Sequence, residues 1–120
     1  MNIKLAITVL LLTLFLTSCV QKSYKKTVVF TLDTSEIKNI KKVGIRGNEK
    51  PLSWDYDTKM KVIKKDSVYE IRATFETGYK FTEIKFVVND SIEFQNEDNR
   101  RVVFSEKNTT LYEAKFNKRN

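Results

Sequence analysis

Residues 68 to 75 alternate. Tyr69, Ile71, Ala73 and Phe75 take one side of the chain, and Glu70, Arg72 and Thr74 take the other. A period of two is the spacing of a β-strand with one buried face; a helix would scatter that apolar set around its circumference. The pattern recurs along the chain. Val28, Phe30 and Leu32 alternate, as do Val43 and Ile45, then Ile84, Phe86 and Val88, then Val102 and Phe104, and finally Tyr112, Ala114 and Phe116. Met60 and Val62 form a shorter run. Turn signals separate these runs at Gly47-Asn48, Lys50-Pro51, Lys65-Asp66, Thr77-Gly78, Asn89-Asp90, Glu97-Asp98-Asn99 and Lys107-Asn108. The spacing predicts an all-β fold, an immunoglobulin-like antiparallel β-sandwich of about seven strands. Thr34 to Ile40 has the makings of a capped helical turn, but reads as a connection.

Composition narrows the chemistry. A chain of 120 residues holds one domain. Its single Cys excludes an internal disulfide and a Cys metal cluster, so stability must come from burying its eight Phe and five Tyr. The absence of His excludes an imidazole base, a His zinc ligand and a Ser–His or Cys–His pair. A carboxylate-pair enzyme would need a cleft that a small sandwich without insertions does not offer. The expectation is a non-catalytic binding module without a cofactor. Asp55, Asp57 and Asp66 fit no EF-hand spacing and read as solvated loop acids. The net charge of +7 is interspersed in sign, and no RNA-binding aromatic motif or recognition helix accompanies it, so nucleic acid is not the expected partner.

The first residues read as an address. Lys4 is followed by an apolar run from Leu5 to Leu16, broken only by Thr8 and Thr13. The run is shorter than the about 20 residues of a membrane span and suits the h-region of a secretory signal. It ends in Leu16-Thr17-Ser18-Cys19, which resembles the bacterial lipobox. The resemblance implies cleavage after residue 18 and acylation of Cys19. Residues 1–18 are then a signal peptide, 19–26 the lipidated Cys with a lysine-rich tether, and 27–120 the folded domain. The tether lysines either meet anionic lipid or stay solvated. Localisation at the cell envelope follows. No acidic run follows Cys19, which points to the periplasm-facing side.

Two stretches carry more specific information: Val43-Gly44-Ile45-Arg46-Gly47-Asn48 with Pro51-Leu52-Ser53-Trp54, and Glu83 to Phe94 with Asp98-Asn99-Arg100. In order and approximate spacing they resemble the starch-binding domains of carbohydrate-binding module family 20 and their glycogen-binding relatives. The resemblance covers residues 28 to 104. It implies an α-glucan ligand, with Trp54 and Phe94 as the stacking aromatics, Lys85 and Asn99 as hydroxyl partners, and Glu93 as a further acceptor. The chain departs from the family at Ile84, where a tyrosine is usual, after Leu52, where the family's glycine is missing and Ser53 holds the often polar place next to the Trp, and at Phe94, which replaces a tryptophan. Tyr56 and Tyr79 are candidates for a second site.

The chemistry behind such a set is general. An aromatic ring covers the apolar face of a sugar, and Lys, Asn and Glu serve its belt of hydroxyls. Other readings stand beside it. Trp54 is equally a core residue, Phe94 an inward strand residue, Lys85 an exposed lysine, and Asn99-Arg100 turn chemistry. Two functions are therefore carried forward: a lipid-anchored glycan-binding module, and an envelope lipoprotein that uses the same sandwich as a structural or protein-binding adaptor.

Overall fold

The computed structural model describes residues 22–120, so the expected signal segment and Cys19 lie outside the described residues. Nine strands follow in chain order: β1 (Tyr24–Asp33), β2 (Val43–Gly47), β3 (Thr58–Lys59), β4 (Lys61–Lys64), β5 (Val68–Thr77), β6 (Phe81–Val88), β7 (Ser91–Ile92), β8 (Arg100–Val103) and β9 (Thr109–Lys115). Seven of them coincide with the alternating runs. The other two, β3 and β7, are two residues long, too short for any periodicity to mark. Thr34 to Ile40 is a connection without a helix.

The strands form two packed sheets, ordered β4-β5-β1-β9 and β3-β2-β6-β7, with β8 also pairing β6. The all-β sandwich is as expected. Its pairing is not wholly antiparallel, because β1 and β9 run parallel, with Phe30 opposite Tyr112. The first and last strands can do this because the whole intervening chain serves as the crossover. β1 begins at Tyr24, so Tyr24, Lys25 and Lys26 of the expected tether already pair with Thr77, Glu76 and Phe75 of β5.

Met60 explains how the chain changes sheets. Its amide still donates to Val43 O at 2.9 Å beside β2, while Lys61 already pairs with Glu70 of β5. Its side chain is buried between the layers. The core is aromatic at its centre. Phe30 of β1 meets Phe75, Phe86 and Tyr112 edge-on, at ring separations of 6.4, 6.3 and 6.0 Å. Phe86 belongs to the opposite sheet, so this one ring ties both layers together.

The even positions of β6 (Thr82, Ile84, Phe86, Val88) are buried with the core. The odd positions, Phe81, Glu83, Lys85 and Val87, therefore stand on the outer face of the second sheet. Gly47 is where the β2–β3 loop closes over this sheet. A Cβ there would lie 3.0 Å from Glu83 O, from an Ile84 methyl and from a Leu52 methyl. The absent side chain lets Leu52 fold back into the core.

Candidate functional site

The outer face of the second sheet collects the residues singled out from sequence. Arg46 and Lys85 are direct partners in the β2–β6 pairing and stand side by side on that face. Arg46 holds the β2–β3 loop from below. Its Nε donates to Asp57 Oδ1 at 2.6 Å, and its Nη1 donates to the carbonyl of Trp54 at 3.0 Å. The Trp54 backbone is thereby fixed, and the residue is half-buried. Gly44 permits the close seat of Asp57, since a Cβ there would lie 3.0 Å from the Asp57 Cβ.

On the other side of Arg46, Lys85 is buried rather than solvated. Its ammonium donates to the carbonyls of Phe94 at 2.7 Å and Glu97 at 2.9 Å. The alternation placed Lys85 on the outer face. The β7–β8 loop then folds over it, and loop coverage leaves no trace in a strand pattern. Phe94 has φ 49°, the left-handed region that a bulky side chain rarely adopts. Its peptide is locked there by three partners: Phe94 N donates to Asn117 Oδ1, and Phe94 O accepts from Lys85 Nζ and Glu97 N. Such a conformation persists only where its surroundings over-determine it.

The Phe94 ring is buried. The Arg119 guanidinium lies 3.7 Å from its centroid and that of Arg100 4.9 Å. Arg119 is pinned there by donating to Asp98 O at 2.7 Å. The ring is thus occupied by the C-terminal segment.

Glu93 is wholly enclosed, at 0% exposure. Its Oε2 accepts from Phe86 N at 2.9 Å and Arg100 Nε at 2.7 Å; its Oε1 accepts from Arg100 Nη2 at 2.9 Å and Asn117 N at 3.1 Å. A carboxylate offers about four acceptor positions, and all are in use. Glu93 also donates its own amide to Phe86 O. β6 pairs β8 over 81–84 and β7 over 87–88, and Glu93 completes the ladder in the gap between them. Its place is structural, and the reading of Glu93 as a sugar acceptor does not fit this enclosure. Burial opposes the charge of Arg100, but the hydrogen bonds and charges of Glu93 and Tyr112 together outweigh it and hold its pKa above the ordinary value.

Asn99 is half-buried at the lip of the same face, with its amide 3.4 Å from Glu83 Oε2. Glu83, Asn99 and Arg101 line an open recess of about 540 Å³ together with Glu97 and Asp98. Of the five residues carried over from the family, Trp54 and Asn99 remain accessible, whereas Lys85, Glu93 and Phe94 are committed to the loop that frames them. Arg46, Glu83 and Arg119 were not anticipated. The outward positions of Arg46 and Glu83 were readable from alternation, whereas Arg119 was not, because its contact joins residues distant in the chain. Among the described residues no group of acidic, Cys or His side chains is placed to share a metal ion. Asp57 instead pairs with Arg46.

No protein-family model matches this chain, and no curated protein matches it either.

Proposed function

We propose that this protein is a lipid-anchored, non-catalytic carbohydrate-binding module of the cell envelope that holds an α-glucan on the outer face of its second sheet. Trp54 supplies the stacking ring, and Asn99 with Glu83 serves the sugar hydroxyls. What supports the reading is convergence: Arg46, opposite Lys85, carries the Trp54 backbone, and Lys85 carries the loop that leads to Asn99. A half-buried indole on a braced loop, with a polar recess around Asn99 and Glu83 on the same sheet, suits a ring with an apolar face and a hydroxyl rim. Binding through one such platform is weak, on the order of −4 to −8 kcal/mol.

The adaptor reading is favoured by a different observation. Lys85, Glu93 and Phe94 spend their polar groups and apolar faces within the protein. A sandwich that retains those residues for architecture can serve a protein partner of the envelope instead.

Titration with maltoheptaose, followed by tryptophan fluorescence, separates the two. Trp54 is the only indole. The expected result is a saturable change that cellohexaose does not produce and that Asn99→Ala abolishes. A flat titration with the folded protein would defeat the glycan reading and leave the adaptor one. Asn99 is the residue to change, because replacing Lys85 would also release the Phe94–Glu97 turn.

A further inference from the structure

The chain enters the sandwich at one end, and that end carries an aromatic and cationic surface. Lys22 lies against the β5–β6 turn, where a Cβ on Gly78 would sit 2.9 Å from Lys22 O. Tyr24 pairs with Thr77 just before that turn, and Tyr79 lies within it. Tyr24 is 58% exposed, Tyr79 70% and Phe81 37%. Phe81 pairs with Val103, also exposed, and Arg101 stacks over the Phe81 ring at 4.1 Å. The loop that follows β8 lies at the same end, with Phe104 N donating to Lys80 O.

Charge at this end is unbalanced. Lys22, Lys25, Lys26, Lys80 and Lys107 stand against Glu76 and Glu106. Lys26 is engaged, its ammonium donating to the carbonyls of Ser105, Glu106 and Lys107. Among the described residues, Lys22, Lys25 and Lys80 have no ion-pair partner.

The position of Cys19 gives this surface its partner. Lys22 lies three positions after Cys19. At about 3.5 Å per residue, the entry end can lie no more than roughly 10 Å from an acylated Cys19. We infer that this end of the sandwich rests on the anionic membrane surface that receives the anchor. Tyr24, Tyr79 and Phe81 lie at headgroup level, and Lys22, Lys25 and Lys80 face lipid phosphates. The tyrosine rings, with their polar edge, favour that depth, Phe81 adds apolar area beneath the Arg101 guanidinium, and lysines gain from the negative surface potential. The inference rests on the lipoprotein reading of Cys19 and is independent of the glycan. It implies a fixed orientation: the acyl chains hold the protein at the membrane, and the entry end decides which face looks outward.

The test uses the full chain purified from bacterial membranes. The mass of its N-terminal peptide reports acylation of Cys19. A Tyr79→Cys variant offers the only free thiol when Cys19 is acylated, and is labelled there with a polarity-sensitive fluorophore. Asp66→Cys, in the β4–β5 turn, is the control. After reconstitution into phosphatidylethanolamine–phosphatidylglycerol vesicles, the label at position 79 is expected to shift to the blue and the label at 66 to stay unchanged. Changing Lys22, Lys25 and Lys80 together to Gln should return the shift toward its detergent value. An acylated Cys19 with no shift at 79, or with equal shifts at 79 and 66, would overturn the membrane-facing surface and leave the lipoprotein reading intact. An unacylated Cys19 would remove the anchor and the inference together.

Discussion

Arg100 and Glu93 form a bidentate ion pair inside the sandwich, at 2.7 and 2.9 Å, and neither side chain is more than 2% exposed. The pair bonds beyond itself. Glu93 closes the β6 ladder at Phe86, and Arg100 donates to the carbonyls of Lys115 and Lys118. One contact therefore joins the middle of the second sheet, the β7–β8 loop and the C-terminal segment.

Removing one partner leaves a buried charge alone. Glu93→Gln or Arg100→Met should each cost about 3–5 kcal/mol of unfolding free energy in urea. The double replacement should cost less than the sum of the two, because it strands no charge, yet the glutamine keeps only one acceptor oxygen, so one of the Phe86 and Asn117 amides loses its partner and the variant stays below the native protein. Additive losses would mean that the two side chains act independently.

Arg119 covers the ring of Phe94. Arg119→Ala should lower stability by only about 0.5–1 kcal/mol, the range of an accessible cation–π contact. Under the glycan reading it should also tighten maltoheptaose binding, since a second aromatic face becomes available beside the site. Unchanged affinity in a variant that binds sugar through Trp54 would show that Phe94 is a framework residue only.

Gly47 admits no side chain without displacing Glu83 O or Leu52. Gly47→Ala should destabilise the protein by about 1–3 kcal/mol through overpacking. It should also red-shift Trp54 emission, because the same loop carries Leu52 and Trp54. A stable variant with native emission would show that the loop does not depend on this close approach.

Asp33 ends β1, and its carboxylate is held below its ordinary pKa of 3.8 chiefly by hydrogen bonding to Ser35, whose amide donates to it at 2.8 Å. The sign follows from linkage. A lowered folded-state pKa contributes stability that is present above 3.8 and lost as pH falls through the lower value. Glu36, lowered by Lys115 and Lys118, acts in the same direction. Urea midpoints should decline over this acid range, and Asp33→Asn should flatten part of the decline. An unchanged profile in that variant would assign the acid sensitivity elsewhere.

Much of the fold is legible in the alternation of single strands. Tyr69, Ala73 and Phe75 of β5 are buried while Arg72, Thr74 and Glu76 are exposed, as a period of two requires. Ile84 and Phe86 reach the core for the same reason. The outward positions of Arg46 and Glu83 are equally local facts. These properties depend on neighbours in sequence, and neighbours in sequence are what a pattern records.

The state of the candidate site was decided by contacts between distant residues. Lys85 occupies an outward position and is nonetheless buried, because the loop from Glu93 to Asn99 folds over it and offers two carbonyls. Glu93 looked like an accessible acid beside an aromatic, and Arg100 with Asn117 turned it into the closure of a β-ladder. Phe94 lost its open face to Arg119, beyond the last strand. Sequence spacing specifies which side of a strand a residue takes. Whether that side stays open depends on which loop or terminus finds its hydrogen-bond and cation–π partners there, and only the packed tertiary structure sets that.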